Sequence, residues 1–459
     1  MSPNLTRELA DFVARTQFED LPPRVQDRVK IILIDTVASA FAGGHSEEVG
    51  QIERMAIAVA GRGASPVVGR APLSPAAAVL VNGYLVTAAT VCDVHRPTLC
   101  HVTPQVFAPA TAVAADRAVS GVEFLLAFAL GLEMTTRIGL GSNYPAFRAR
   151  GWHSPGVWGP FGGATAAGKL LGLDTDGLVT AFGLAGSQAA GTFAHWGTPT
   201  IKFHQSRGAL SGYVAAQLAE SGFDASDDVL TASDGGLYGT YSDGGDPAVA
   251  TNRLGDIWEL ERLSLRPWPL ASSLQSVATA LLHLIESEEL CLSDIASATV
   301  GLSPTVHDMH GSLPWNDPFH ALLSAPYVAG VILADRTCWL EQFTPERIDD
   351  PDLDRFIREQ VEVVVDESVV GTGAAVSLKL TDGRTVADSR AIPHGDAQDP
   401  LSMGDVSTKF LRAVGTRLGE HGAKQTLELL QTIESADRVT SSHFGALSSD
   451  GLPDIGRQE

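Results

Sequence analysis

The sequence has few cysteines, fewer basic than acidic residues and no long hydrophobic run, and each shortage excludes a class of protein. Four cysteines in 459 residues are too few for a disulfide framework, which favours reduced thiols in a cytoplasmic protein. The apolar stretches, such as residues 124–132, are much shorter than a membrane span, and the N-terminus has no signal-peptide pattern. We therefore expect a soluble, cytoplasmic protein.

The shortage of basic residues also limits the possible partners. The chain has 32 Lys and Arg against 54 Asp and Glu, a formal net charge of −22. Nucleic-acid-binding proteins need a basic face, and no dense run of Lys and Arg is present. The acidity argues equally against an anionic membrane surface. It leaves an anionic small-molecule substrate possible, because a few local cations suffice to bind one.

Several catalytic signatures are also absent from the sequence. It contains no dinucleotide-binding fingerprint, no P-loop and no Gly-x-Ser-x-Gly nucleophile elbow. The cysteine spacing fits no iron–sulfur cluster. Catalysis in this chain would therefore depend on acid–base side chains.

Helical patterns fill the first half of the chain. Apolar residues recur at helical spacing from Val25 to Phe41, after a pair of prolines and before a pair of glycines. Glycines spaced by four, at Gly159 and Gly163 and again at Gly208 and Gly212, predict close helix–helix packing. The other predicted helices cover approximately residues 46–60, 74–90, 120–138, 155–171, 175–189 and 204–220.

The pattern changes near residue 265, where strand signals begin. Strands are predicted at about 296–303, 361–366 and 374–391, the last with a hairpin turn at 381–384. Helical patterns at about 271–286 and 317–335 lie among them. Helices return at about 402–417 and 422–434, and the last 20 or so residues look like a loose tail.

These patterns predict a mostly α fold with an α+β second domain. The length favours two domains. We assign residues 1–264 plus 399–459 to a large helical domain built from both chain ends. Residues 265–398 then form a smaller, inserted α+β domain.

The richest cluster of reactive side chains lies in the segment 90–104. It contains Cys92, Asp93, His95, Cys100 and His101 within ten residues. A loop held by a rigid scaffold is a common place for a functional site. The cluster has two interpretations, a zinc site or a metal-free acid–base pocket. The spacing fits no familiar zinc module, which favours the metal-free pocket.

Two further clusters stand at predicted helix starts. His153 precedes a Gly- and Pro-rich helix, a position that favours the neutral imidazole a general base needs, although capping or packing would also explain it. Lys202, His204 and Arg207 place positive charge near another helix start and indicate a possible carboxylate-binding site.

Arg266, near the predicted domain junction, is a candidate carboxylate clamp or a structural hinge.

The order of these motifs resembles the MmgE/PrpD family over nearly the whole chain. No single motif is decisive, but their order and spacing are specific. They comprise residues 28–43, Val81-Asn-Gly83, the 90–104 loop, Gly151-Trp-His-Ser-Pro155, residues 185–191 and 202–212, Arg266-Pro-Trp-Pro269, Ser324-Ala-Pro-Tyr327, residues 339–344 and the closing helix near 405–410.

The resemblance implies a fold, a chemistry and a set of site residues. The family includes methylcitrate dehydratase, cis-aconitate decarboxylase and iminodisuccinate epimerase. Its members are usually homodimers, need no metal or organic cofactor, and have a helical domain with a smaller α+β lid. Residues of this chain that match family positions are His101, His153, Lys202, His204 and Tyr327.

Three positions depart from the family pattern. Where the family loop has its first acid and a Thr, this chain has Thr90 and Val94, and only the last acid, Asp93, is retained. Gln275 stands where the family usually has a His, and Gln cannot relay a proton as His can. These replacements predict a specialised member with an altered substrate, or one that has lost turnover.

Our leading hypothesis is a lyase, either a dehydratase or a decarboxylase, or an isomerase, acting next to a carboxylate of a di- or tricarboxylate. Competing hypotheses are a catalytically inactive scaffold and, less favoured, a zinc hydrolase. The predicted catalytic residues are His101, His153, Lys202 and Asp93. The predicted substrate-binding residues are His95, His204, Arg207, Arg266, Gln275 and Tyr327.

Overall fold

A computed structural model describes residues 4–446 of the chain. This part divides into two compact units. Unit 1 comprises residues 4–263 and 402–446, and unit 2 comprises Ser264–Leu401. The predicted loose tail lies for the most part outside the described residues. The domain limits assigned from the sequence remain a prediction of where independently folding parts begin and end.

Helices dominate the first part of unit 1, as the apolar periodicity predicts. In chain order the elements are α1 (Leu5–Arg15), α2 (Pro23–Gly43), α3 (Glu47–Ala60), β1 (Ser65–Val67), β2 (Arg70–Leu73), α4 (Pro75–Ala88), β3 (Val94–His95), α5 (Thr103–Asp116), α6 (Gly121–Leu140), α7 (Tyr144–Ala149), α8 (Ser154–Leu170), α9 (Thr175–Ser187), α10 (Thr200–Glu220), α11 (Leu237–Ser242), α12 (Ala248–Thr251) and β4 (Leu263–Ser264).

Helices α8 and α10 pack closely through glycines. A Cβ placed on Gly212 of α10 would lie 2.5 Å from the Pro160 carbonyl oxygen of α8. One on Gly163 of α8 would lie 2.9 Å from the Gln105 carbonyl oxygen of α5 and 3.3 Å from the Gly212 Cα atom of α10. Such distances are too short for any side chain, so glycine is required at both positions. The predicted helix–helix packing is confirmed, and it fixes the helix ends that carry His153 and Lys202.

Unit 2 combines helices with a small mixed sheet. Its elements are α13 (Gln275–Ser287), β5 (Ile295–Leu302), α14 (Pro304–His310), α15 (Pro318–Ala321), α16 (Ala325–Asp335), α17 (Pro345–Ile348), α18 (Pro351–Gln360), β6 (Val361–Val365), β7 (Ala374–Leu380) and β8 (Thr385–Arg390). The strand order is β6-β5-β7-β8. β5 runs parallel to β6 and antiparallel to β7.

The hairpin between β7 and β8 closes where the sequence predicted a turn. Gly383 has a φ of +90°, which glycine adopts without strain. The amide of Leu380 donates to the Arg384 carbonyl at 2.8 Å. Helices α13 and α16 pack on the sheet and bury the apolar core of unit 2, which includes Val300 and Val376.

The closing helix returns the chain to unit 1. α19 (Met403–Gln431) is interrupted at Gly419, whose φ of 70° and ψ of 170° are not helical. The sequence had placed a break between two helices in the same region. The Lys409 ammonium of α19 lies 2.6 Å from the Asp35 carboxylate of α2, and both are buried, so this ion pair joins the two chain ends. The mostly α fold class with a small α+β part is confirmed.

Among residues 4–446, no helix is both long and apolar enough to cross a bilayer.

Candidate active site

The 90–104 segment is organised by Asp93, which is fully buried. Its carboxylate accepts hydrogen bonds from the amides of Val102 and Thr103 at 2.8 and 3.0 Å, and from the Thr103 hydroxyl at 2.6 Å. These donors lie at the start of α5, where backbone amides lack helical partners. Asp93 therefore anchors the loop to α5, and these contacts favour a positioning task for it. Its predicted catalytic role remains a prediction.

The same residue fixes the tautomer of His101. The Nδ1 atom of His101 lies 2.6 Å from the Asp93 carbonyl oxygen. A carbonyl oxygen can only accept a hydrogen bond, so Nδ1 carries the proton in the neutral ring. The lone pair is then on Nε2, which makes His101 a base through that atom.

His95 is directed toward the interior of unit 1. Its Nδ1 atom lies 2.8 Å from the Thr98 hydroxyl, and its Nε2 atom lies 3.6 Å from the Glu259 carboxylate. Burial lowers the pKa of His95, although the Glu259 carboxylate opposes this shift. Its contacts hold the loop in place, and its predicted substrate contact remains a prediction.

Three reactive side chains of the loop make hydrogen bonds to backbone groups. The Asp93 carboxylate binds amides, His101 donates to a carbonyl, and the Cys100 thiol faces the His101 carbonyl at 3.6 Å. Within the described range 4–446, no group of three His, Cys, Asp or Glu is arranged to hold a metal ion.

A second cluster is centred on two histidines from different helices. His153 stands immediately before α8, and His204 lies in the first turns of α10. Their Nδ1 atoms are 3.0 Å apart, and both residues are buried. Because a hydrogen bond between two imidazole nitrogens contains one proton, one ring donates and the other accepts. The structure thus joins two residues that the sequence analysis assigned to separate motifs.

Both imidazoles are held in the neutral state. Burial lowers the pKa of His153 well below its usual range, and the charges of His204, His101 and Arg148 lower it further. Burial also lowers the pKa of His204 to about 4, with smaller contributions from His195 and Arg207. At neutral pH both rings are therefore uncharged, so the pair offers a lone pair that can accept a proton and then releases that proton readily.

Gly191 gives the two rings room to meet. The His153 amide donates to the Gly191 carbonyl at 3.0 Å, which fixes the residue before α8. A Cβ on Gly191 would lie 3.0 Å from the His204 Nδ1 atom, and the φ of 139° is also one that other residues rarely adopt.

Arg148 and His195 belong to this cluster, although the sequence analysis did not select them. The Arg148 guanidinium lies 3.5 Å from the centroid of the Phe193 ring, and Phe193 stands edge-on to His153 with ring centroids 6.0 Å apart. The His195 and His204 ring centroids are 5.8 Å apart. A signal was present, since Arg148 lies five positions before His153 and His195 lies between Gly191 and Lys202.

Lys202 ties α10 to the end of α4. Its ammonium donates to the carbonyl of Ala88, the last residue of α4, and the side chain is buried. Cations are favourable at helix C-termini, where carbonyl groups lack helical partners. Residue 90 follows two positions later, so Lys202 also fixes the point where the loop begins. Its predicted catalytic role remains a prediction.

Arg207 acts as a clamp on backbone carbonyls. Its Nη1 atom donates to the Gln188 carbonyl at 2.9 Å and the Ser211 hydroxyl at 3.2 Å. Its Nη2 atom donates to the carbonyls of Ala190 and Gly156 at 2.8 and 3.3 Å. A substrate carboxylate would have to displace these partners, so the contacts favour a positioning task.

In unit 2, Arg266 and Gln275 meet at one carbonyl. The Arg266 Nη1 atom and the Gln275 Nε2 atom each donate to the Leu270 carbonyl at 3.2 Å. Gln275 also donates to the Trp268 carbonyl at 2.9 Å. Both side chains are buried, and together they hold the turn that precedes α13. Their roles in substrate binding remain predictions.

Tyr327 lies within the apolar core of unit 2. Its ring is fully buried, and its hydroxyl donates to the Gln342 carbonyl at 2.6 Å. Burial raises the pKa of the Tyr327 hydroxyl. This hydrogen bond gives the buried Tyr327 hydroxyl a partner inside the core. The predicted substrate contact of Tyr327 remains a prediction.

Residues 7–250 match the MmgE/PrpD N-terminal domain, and residues 268–435 match the MmgE/PrpD C-terminal domain. The chain belongs to the MmgE/PrpD family, which confirms the resemblance seen in the motifs.

Individual relatives show which MmgE/PrpD enzymes this chain is similar to. A cis-aconitate decarboxylase of Aspergillus terreus is 26% identical over 464 residues, covering 95% of this chain and 94% of the relative. The cis-aconitate decarboxylase of Homo sapiens is 26% identical, covering 95% and 93%. The cis-aconitate decarboxylase-like protein oryM of Aspergillus oryzae is 27% identical, covering 94% of each chain. Together with the family, these relatives make this chain an enzyme of the lyase class.

Proposed function

We propose that this chain is a decarboxylase that acts on an unsaturated di- or tricarboxylate and uses the His153–His204 pair as its acid–base group. The contact between the two Nδ1 atoms at 3.0 Å carries the proposal. The relatives named as cis-aconitate decarboxylases support the class of substrate. Dehydration and isomerisation, the other reactions considered for this chain, would need the same acid–base group.

The histidine pair suits the proton balance of decarboxylation. The bond between carbon and one carboxylate breaks, carbon dioxide leaves, and the electron pair stays on the carbon fragment. A proton must then be added to that fragment. The pair takes a proton from solvent and shares it between His153 and His204. Its low pKa makes the protonated pair a strong donor.

His101 supplies a second proton-transfer group for the same reaction. Its Nε2 atom is the basic nitrogen, because Nδ1 donates to the Asp93 carbonyl. His101 also contributes to the pKa of His153, which places the two imidazoles within electrostatic range of each other. We assign proton transfer to His101 and His153, with Asp93 as the positioning residue of the loop.

Arg148 is our candidate for binding a substrate carboxylate. A guanidinium recognises a carboxylate through two parallel hydrogen bonds. Stacking on Phe193 restricts the side chain on one face, and its charge already acts on His153. Arg207 and Lys202, which we had expected to bind substrate or take part in catalysis, hold backbone carbonyls and support the site by fixing its helices.

The test uses cis-aconitate as the substrate. The purified protein is incubated with it in D₂O, and carbon dioxide release and deuterium incorporation are followed by NMR. We expect turnover in the unmodified protein and a loss of about 10²–10⁴-fold in kcat for His153→Asn. As a control, His283→Asn changes an exposed histidine of unit 2 that pairs with Asp388. Folded protein that releases no carbon dioxide and exchanges no proton would contradict the proposal.

We further infer that the enzyme works as a cytoplasmic homodimer without metal or organic cofactor, as the family resemblance implies. Light scattering coupled to size exclusion measures the mass of the assembly, against 48.2 kDa for one chain. Dialysis against a chelator should leave kcat unchanged. A monomeric active species, or activity lost with the chelator and restored by a metal, would contradict these expectations.

A further inference from the structure

Unit 2 holds a serine and a histidine in a geometry that the reaction above does not use. Ser273 lies in a 3-10 turn, Ser272–Leu274, that continues directly into α13, and its side chain is partly exposed. His310 is the last residue of α14 and is buried. The two residues are 37 positions apart, so only the fold brings them together.

The hydrogen bonds of His310 define which atom is the base. Its Nδ1 atom lies 2.7 Å from the Leu323 carbonyl oxygen. Since the carbonyl can only accept, Nδ1 carries the proton and the lone pair is on Nε2. The Nε2 atom lies 2.6 Å from the Ser273 hydroxyl oxygen. The Ser273 hydroxyl must therefore donate its proton to His310.

This arrangement has the three parts of an activated nucleophile. A hydroxyl is in contact with a neutral imidazole, and a third group orients the imidazole from its other side. Here the Leu323 carbonyl takes the place of the carboxylate found in many serine triads. Burial lowers the pKa of His310, although the Leu323 carbonyl opposes this shift, so the ring is neutral and able to accept a proton at pH 7.

We propose that Ser273 is an activated nucleophile with His310 as its general base, and that unit 2 forms a covalent ester with activated acyl or phosphonyl compounds. The Ser273 oxygen attacks the acyl carbon while its proton moves to His310 Nε2. The bond to the leaving alcohol, thiol or halide then breaks, and the leaving group takes the proton from His310.

The full-length protein is tested with two probes of different size, a fluorophosphonate and p-nitrophenyl acetate. Mass spectrometry of the fluorophosphonate adduct should map the label to Ser273, and the ester should give a burst of p-nitrophenolate. Mapping uses the unmodified chain, so its result does not depend on any variant folding. The labelling rate should rise with pH as His310 loses its proton and reach a plateau below pH 7.

Three variants test whether His310 activates Ser273 or whether Ser273 is labelled only because it is exposed. Ser273→Ala should abolish labelling, and His310→Gln should slow it by about 100-fold or more, as the loss of a general base predicts. Ser272→Ala changes the neighbouring hydroxyl and should label at the rate of the unmodified protein. Thermal melting confirms that each variant is folded. No adduct with either probe, an adduct on another serine, or equal rates with and without His310 would overturn the proposal.

Discussion

The Nδ1 atoms of His153 and His204 lie 3.0 Å apart, although the residues are separated by 51 positions in the chain. The His204 imidazole lowers the pKa of His153, because two imidazolium ions at this distance would repel each other. The contact also excludes any arrangement in which both Nδ1 atoms carry a proton. A residue pair that holds one proton and shares it is suited to reactions in which a proton is added to or removed from carbon.

The low pKa of His204 predicts that the protein loses stability in mild acid. Folding lowers this pKa from 6.5 to about 4, so the unfolded chain binds the proton more tightly. The stabilising contribution is complete above pH 6.5 and lost as the pH falls toward 4. Its size is about 3 kcal/mol, at roughly 1.4 kcal/mol for each pH unit. Urea unfolding of the unmodified protein and His204→Asn, measured between pH 4 and 7, should show a smaller loss in the variant. Parallel curves would contradict the assignment.

The proposed contact of Arg148 with a substrate carboxylate predicts that replacing this residue weakens substrate binding. Removing a charged hydrogen bond to a carboxylate costs about 1.5–3 kcal/mol, roughly 10- to 100-fold in affinity. We expect Arg148→Gln to raise KM for cis-aconitate by that factor and to change kcat less. Arg150→Gln is the matched control, because Arg150 lies two positions away and pairs with the exposed Asp243. If steady-state kinetics show the same KM for both variants, Arg148 does not bind substrate.

The backbone conformation of Thr90 predicts that replacing it with glycine stabilises the protein. Its φ of 58° lies in the left-handed region, which is unfavourable for a β-branched residue and costs on the order of 1–3 kcal/mol. Thr90→Gly should raise the free energy of unfolding by about 1 kcal/mol. Thr408→Gly, at an exposed position inside α19, should lower it by a similar amount, because glycine weakens a helix interior. Chemical denaturation measures both, and a loss of stability in Thr90→Gly would argue against strain.

The packing of α8 against α10 predicts opposite effects for two glycine replacements. Gly212→Ala would place a Cβ 2.5 Å from the Pro160 carbonyl oxygen and should cost about 1–3 kcal/mol or more. Gly415→Ala in α19 meets no atom within 4 Å and should stabilise the helix by roughly 0.5–1 kcal/mol. Melting temperatures distinguish the two variants. Equal shifts would contradict the close approach of the helices.

Local pattern was enough to place most helices and strands. Pro22 and Pro23 start α2, Gly383 closes the hairpin, and the spacing of the glycines in α8 and α10 is enough to indicate tight packing. The residues that match family positions in the motifs were found in the same way. Each of these features depends on residues near one another in the chain, so periodicity and turn chemistry are sufficient to detect them.

The local sequence pattern does not show which groups each polar side chain binds. Asp93, Lys202 and Arg207 carry charges that suggest chemistry, yet each makes hydrogen bonds to backbone groups at or near helix ends. Arg148 was passed over, because nothing in its neighbourhood along the chain shows that its guanidinium stacks on Phe193. Such contacts join residues that are distant in sequence, and only the folded chain brings them within hydrogen-bonding range.

The sequence by itself determined the family, the mostly α architecture and the candidate histidines, because these depend on periodicity and on short motifs in a fixed order. Only the tertiary structure decided which candidates act together. It paired His153 with His204, gave Asp93 the task of orienting His101, and joined Ser273 to His310. The physical reason is that a proton moves over about 3 Å between defined atoms, and that distance is set by the packing of helices far apart in the chain.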